Sequence, residues 1–142
     1  MPKSIFLFKL NNNFCSLEKD NNLEIILDIY LKSKENEFYK EQFKLMMDVI
    51  DSNIIKNNII SNFNNKSNFY IYEDKCIFKN IYKNKEEIIY FNKNFILIDY
   101  EDDKSILLDY LSLYFIDLIA IDILEEKIYP LCIVVNDVIP KK

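Results

Sequence analysis

Nine carboxylates lie between residues 99 and 126: Asp99, Glu101, Asp102, Asp103, Asp109, Asp117, Asp122, Glu125 and Glu126. Lys104 is the one cation among them. A pair of carboxylates held in different surroundings can divide acid and base work on a substrate. Crowded carboxylate oxygens are also hard ligands for Mg²⁺ or Ca²⁺. The run "DYEDD" at 99–103 supplies such oxygens, but an EF-hand loop spreads its ligands over about twelve residues, with Gly at the sharp turn and a closing Glu. Neither is present, so no dedicated metal site is expected. A third use is purely electrostatic, as a negative surface that draws in a basic partner.

The rest of the chain narrows the chemistry by what it lacks. It has no Gly, so it has no P-loop, dinucleotide fingerprint or GxSxG elbow, each of which needs a residue without Cβ. It has no His, so Ser-His-Asp triads, Cys-His pairs and histidine-ligated metals are excluded. It has no Arg, and with it no bidentate fork for carboxylate or phosphate. Cys15, Cys76 and Cys132 are too far apart for a CxxC pair and sit among apolar neighbours, as free buried thiols do. No enzymatic activity and no cofactor are expected.

The 142 residues are enough for one domain with a real core, and an apolar half with 29% charged residues excludes disorder as the default. Heavy use of Ile, Asn, Lys, Phe and Tyr is what an AT-rich genome dictates. A net charge of -5 argues against general nucleic-acid affinity. The longest apolar region, 110–124, is interrupted by Asp117 and Asp122 and is too short to span a bilayer, and "SIFLF" is too short for a signal peptide. The chain reads as cytoplasmic, with no membrane partner.

The elements that must carry these residues follow from hydrophobic period. "KSIFLFKL" at 3–10 reads as a strand, and "FCSLE" at 14–18 as a short returning arm. "NNLEIILDIYLKS" reads as a helix capped by Asp20, Asn21 or Asn22, with Leu23, Ile26, Ile29 and Tyr30 as its stripe. Phe43, Met46, Met47, Ile50, Ile54 and Ile55 recur at helical spacing, so a second helix is expected from Asn36 towards Ile60, with a possible break near Ser52. "NFYIY", "CIFKNIY", "EEIIYF" and "FILIDY" read as an antiparallel meander. Asp103 can cap a third helix, Lys104 to Tyr114, with Ile106, Leu107, Tyr110, Leu111 and Tyr114 inward and Ser105, Asp109 and Ser112 outward. Residues 115–124 can be helix or strand; period-2 alternation of Ile119, Ile121 and Ile123 favours a hairpin with "IYPLCIVV", Pro130 placing the last strand at an edge or a bulge. The expected fold is a single α+β domain, a mainly antiparallel sheet packed against about three helices.

Split at Ile98, the chain carries +1 before the cut and -6 after it. The expected function is therefore stoichiometric binding of a basic protein, most concretely a cognate bacterial toxin such as a nuclease, by an immunity or antitoxin-type inhibitor. Its expected contact residues are Asp99, Tyr100, Glu101, Asp102, Asp103, Asp109, Asp122, Glu125 and Glu126, with Tyr100, Tyr110, Tyr114 and Tyr129 as aromatic anchors. Against this stands a structural or oligomerising module whose acids serve solubility alone. A third reading rests on residues 75–93, where Lys75, Lys79, Lys83, Lys85 and Lys93 interleave with Phe78, Tyr82, Tyr90 and Phe91 like a single-strand nucleic-acid platform. Nucleic acid is nevertheless the less expected partner.

Overall fold

The computed structural model describes residues 3–19, 22–80, 82–115 and 117–132. Two of its strands are apolar without interruption. In β1 (Lys3–Leu10) the run Ile5–Phe8 is buried throughout, and in β7 (Leu118–Asp122) so is the run Leu118–Ile121. A strand buried on both faces must lie inside a sheet covered on both sides. β1 does: it pairs antiparallel with β6 (Ile96–Tyr100) on one side and with β7 on the other.

Alternating strands occupy the flank. β3 (Phe69–Ile71), β4 (Lys75–Asn80) and β5 (Lys85–Phe91) form the expected meander into β6, and β8 (Lys127–Pro130) pairs with β7 at the opposite edge, where Pro130 is tolerated. The order is β3-β4-β5-β6-β1-β7-β8. A two-residue β2 (Met47–Asp48) adds to the end of β1, and every pairing is antiparallel. Asn84, with φ 52°, takes the left-handed turn between β4 and β5 that Gly would otherwise fill.

Helices cover both faces. On one, α2 (Leu23–Ser33) and α3 (Glu37–Met46) enclose Phe6, Phe8, Leu10, Ile119 and Ile121 with Leu23, Ile26, Leu27, Phe43 and Met46. On the other, α4 (Ser52–Phe63) and α5 (Ile106–Tyr114) enclose Ile5, Leu7, Ile89, Ile96 and Ile98 with Ile55, Ile59, Leu107 and Leu111. The molecule is thus α+β, an eight-stranded antiparallel sheet between two helical layers.

Five helices are present among the described residues rather than about three. Residues 14–18 are not a returning strand. Asn11 accepts a bond from the Asn13 N–H and starts a 3-10 turn that runs into α1 (Cys15–Lys19). The helix expected over 36–60 is two helices, because its apolar stripe serves two faces. Phe43 and Met46 pack on one side of the sheet and Ile55, Ile59 and Phe63 on the other, so the chain must cross the sheet end over 47–51. Extended pairing of Met47 and Asp48 with Leu10 and Lys9 makes the crossing, and Asp51, accepting from the Ile54 N–H, starts α4. Asn22 stands at the start of α2 without a side-chain capping bond, while Asp20 and Asn21 lie outside the described residues. Residues 118–122 are strand, as the hairpin requires. Cys15, Cys76 and Cys132 are free thiols, and burial pushes that of Cys76 up.

Candidate functional site

The sheet gathers most of the acidic segment at one end. Because β1 is antiparallel to β6 and β7, its N-terminus lies beside both of their C-termini: Lys3 opposes Tyr100, Ser4 opposes Asp99, and Ile5 opposes Asp122. The loop 101–105 leaves this end after β6, and the turn 123–126 leaves it after β7. Carboxylates up to about 90 Å apart along the extended chain, from Asp99 to Glu126, therefore share one rim through topology alone.

Tyr100 is the centre of this end. Its ring is buried, 7% exposed, and Lys3 places its ammonium 5.9 Å from the ring centroid. Burial raises the phenol pKa first, and the charges of Asp122, Glu87, Asp109 and Glu125 raise it further. Four carboxylates from β5, α5, β7 and the following turn thus act on one hydroxyl.

Glu87 was not among the expected site residues. It is 6% exposed and lies directly across from Tyr100 in the sheet register. Its carboxylate accepts from Ser105 Oγ at 2.6 Å and from the backbone N–H groups of Ile106 and Leu107 at 2.8 and 3.1 Å. Ser105 Oγ in turn accepts from Leu108 N at 3.0 Å, so the first N–H groups of α5 are all satisfied. Desolvation pushes the Glu87 carboxyl above its ordinary value, against the opposing pull of those three donors, while the charge of Asp109 adds to the rise. A sequence signal for this existed. In "KEEIIYF" the period-2 alternation puts Glu87 in phase with Ile89, on the buried face.

The cap of α5 is thus Ser105, not Asp103, and the helix begins at Ile106. Its inward face is also rotated from the expected one: Leu107, Leu108, Leu111 and Ser112 are buried, whereas Ile106 and Tyr114 are exposed. Ser112 is accommodated inside by donating to the Asp109 carbonyl at 2.6 Å.

The remaining acids divide. Asp99 points to the opposite sheet face from Tyr100 and accepts from Ser4 Oγ at 2.6 Å. Glu101 is exposed and lines an open groove of about 280 Å³ with Lys79, Asn80, Asn84, Lys85 and Glu86. Asp102 accepts from the Asp103 N–H and pairs with Lys83 at 3.1 Å, which together hold its carboxyl below the usual range. Asp109 is half-buried and pushed up by desolvation, with Lys104 opposing. Asp122 accepts from the Glu125 N–H, Glu125 pairs with Lys127 at 3.1 Å, and Glu126 sits exposed at φ 53°. Asp117 lies at the far end of the sheet, facing Lys9 at 3.9 Å. Among the described residues Glu101, Asp103 and Glu126 enter no ion pair.

Of the expected aromatic anchors, Tyr114 alone is exposed. Tyr110 is held by Asn58, Asn62 and Phe63, and Tyr129 packs against the core. Exposed apolar groups beside the acids are Ile106 and Leu124. Among the described residues no cluster of three or more carboxylate or cysteine groups is arranged to hold a metal ion, and no helix is long and apolar enough to cross a membrane. No protein-family model matches the sequence, and no curated protein is significantly similar to it.

Proposed function

We propose that this chain is a cytoplasmic binding protein that neutralises a basic partner, most concretely an immunity or antitoxin-type inhibitor of a toxin such as a nuclease. The observation that supports the reading is the convergence on Tyr100. Asp109, Asp122 and Glu125 come from separate elements and still act together on one hydroxyl, so their fields add at that end of the molecule. Glu101, Asp103 and Glu126 extend the charge outward and, among the described residues, enter no ion pair.

In this reading the carboxylates stand where a nuclease would hold substrate phosphates, and they steer the encounter. Steering raises association above the unsteered ~10⁵–10⁶ M⁻¹s⁻¹ and makes it fall with salt. Ile106 and Leu124, exposed beside the acids, supply apolar contact where charge alone gives little affinity. Lys3, Lys83, Lys104 and Lys127 reduce the net charge of this end, so the acids outside ion pairs carry the recognition.

The test is affinity capture with tagged chain, followed by stopped-flow association with the captured partner. The variant Glu101→Lys, Asp103→Lys, Glu126→Lys alters three exposed side chains outside the core. Loss of capture, or a drop of at least ten-fold in association rate with a flattened salt dependence, supports the reading. Capture that survives the triple reversal at wild-type rate removes it.

A further inference from the structure

The helices α2 and α3 cover one face of the sheet over β1, β7 and β8, and leave the same face of β3, β4 and β5 open. In this meander Cys76, Phe78, Glu87 and Ile89 point to the α4/α5 side, so the alternate residues point away from it. Register places Lys75 opposite Tyr90, Tyr70 opposite Ile77, and Ile77 opposite Ile88 on that open face. Tyr70 on the edge strand and Tyr72 just beyond it, whose N–H donates to the Lys75 carbonyl, are 43% and 48% exposed and about 7 Å apart in extended chain. Lys79 Nζ lies 5.1 Å from the Tyr70 ring centroid, and Lys75 Nζ lies 5.5 Å from that of Tyr72.

We infer that this open face, built from Tyr70, Tyr72, Lys75, Lys79 and Tyr90, binds single-stranded nucleic acid. The occupant follows from complementarity of two kinds. Exposed rings on an open sheet face, each with a lysine over one side, offer stacking to unpaired bases, which every base can use. The two lysines beside them offer charge to the phosphates between those bases. A duplex keeps its base faces inside and cannot use the rings. Residues 70–93 carry five lysines against Glu73, Asp74, Glu86 and Glu87; Glu87 is turned inward under α5, and Asp99 opposes Ile88 on the open face with its carboxylate bonded to Ser4. Glu86 opposes Lys79 in the register without forming an ion pair, and Lys75 enters none among the described residues. Of the aromatics in that segment, Phe78 is committed to the opposite core and Phe91 packs against it; Tyr70 of β3 and Tyr72 just after it supply the other two rings instead. The surface meets the acidic end at the groove that Lys79 shares with Glu101, and its rings lie outside that groove.

Fluorescence anisotropy with labelled 12-mer oligo(U), oligo(dT) and a 12-base-pair duplex, at 50 and 300 mM NaCl, tests the inference. Both single strands should bind and the duplex should not; the ratio of the two single strands tells whether RNA or DNA is preferred. With about two phosphates neutralised, affinity should fall about ten-fold between the two salt concentrations. Tyr72→Ala should weaken binding about ten-fold, and Lys75→Gln with Lys79→Gln should flatten the salt dependence. All are surface changes, and circular dichroism verifies that the variants are folded. Absence of binding at 50 mM NaCl, equal binding of duplex, or binding indifferent to Tyr72→Ala each overturns the inference. If Tyr70→Ala and Tyr72→Ala abolish capture of a protein partner and leave oligonucleotides unbound, the face belongs to that protein. Glu101→Lys, Asp103→Lys, Glu126→Lys should leave oligonucleotide binding at least as strong as wild type, so the two proposals fail separately.

Discussion

Two acidic residues, Glu87 and Glu126, are set apart by their local structure. The first is Glu87, whose single carboxylate receives three donors at the start of α5. Glu87→Ala strands the N–H groups of Ile106 and Leu107, and should cost about 2–3 kcal/mol in denaturant unfolding. The Glu87 carboxyl is also harder to ionise in the folded chain than in the unfolded one, where 4.5 is its ordinary value. The sign follows from linkage: its stabilising contribution is complete below pH 4.5 and is lost as pH rises through the higher folded value. Asp109 shifts the same way, whereas half-buried Asp102, paired with Lys83, shifts oppositely and loses its small contribution as pH falls. Unfolding midpoints should therefore rise as pH is lowered from neutrality towards 5, and Glu87→Gln should flatten that rise. A midpoint that falls over this window in wild type contradicts the assignment.

Glu126 is the second, because it adopts a left-handed backbone that disfavours any residue with a Cβ. In a chain without Gly, the tight β7–β8 turn falls to the residue available. Glu126→Gly should stabilise the fold by about 0.5–1 kcal/mol, read as a higher denaturant midpoint at unchanged slope. Neither residue is visible in composition. Glu87 is legible from the phase of its strand once that phase is trusted over its charge. The strain at Glu126 is not legible at all, since turn type depends on the pairing of strands on either side.

At the level of elements, sequence period located nearly every strand and helix, because one buried face leaves a regular imprint. It misplaced the pieces whose imprint is ambiguous. The stripe from Phe43 to Ile55 has helical spacing throughout, and only the sheet passing between Met46 and Ile50 divides it. The buried face of α5 lies one position on from the one its period suggests, because Ile106, Leu107 and Leu108 are all apolar and period alone cannot rank them. The caps carry the information that period lacks. Asp51→Ala should cost about 1 kcal/mol by releasing the Ile54 N–H. Ser105→Ala should cost more, about 2 kcal/mol, because it removes the acceptor for Leu108 and a donor to Glu87 together. Thermal or urea unfolding of the two variants orders them, and equal losses would mean that the Glu87 bond contributes nothing to the cap.

At the level of the whole molecule, the N-terminal strand ends up in the middle of the sheet, and that placement both builds the fold and assembles the acidic end. β1 cannot be covered until β6 and β7, about a hundred residues later, are in place. Its insertion brings the ends of those two strands together, and with them the loop 101–105 and the turn 123–126. Charges assembled by topology rather than by local need should repel one another in the free protein. Acids kept only for solubility, scattered among lysines, should not. The distinction is measurable without knowing the partner. Added NaCl, which screens the repulsion, should raise the thermal midpoint of the free chain, and Glu126→Lys should raise it by about 2 °C at low salt with a smaller response to added salt. An engineered end that is more stable and no longer captures its partner is the trade expected of a binding surface. If Glu126→Lys leaves the midpoint and its salt dependence unchanged, the acids of this end do not act on one another, and the negative field on which binding of a basic partner rests is absent.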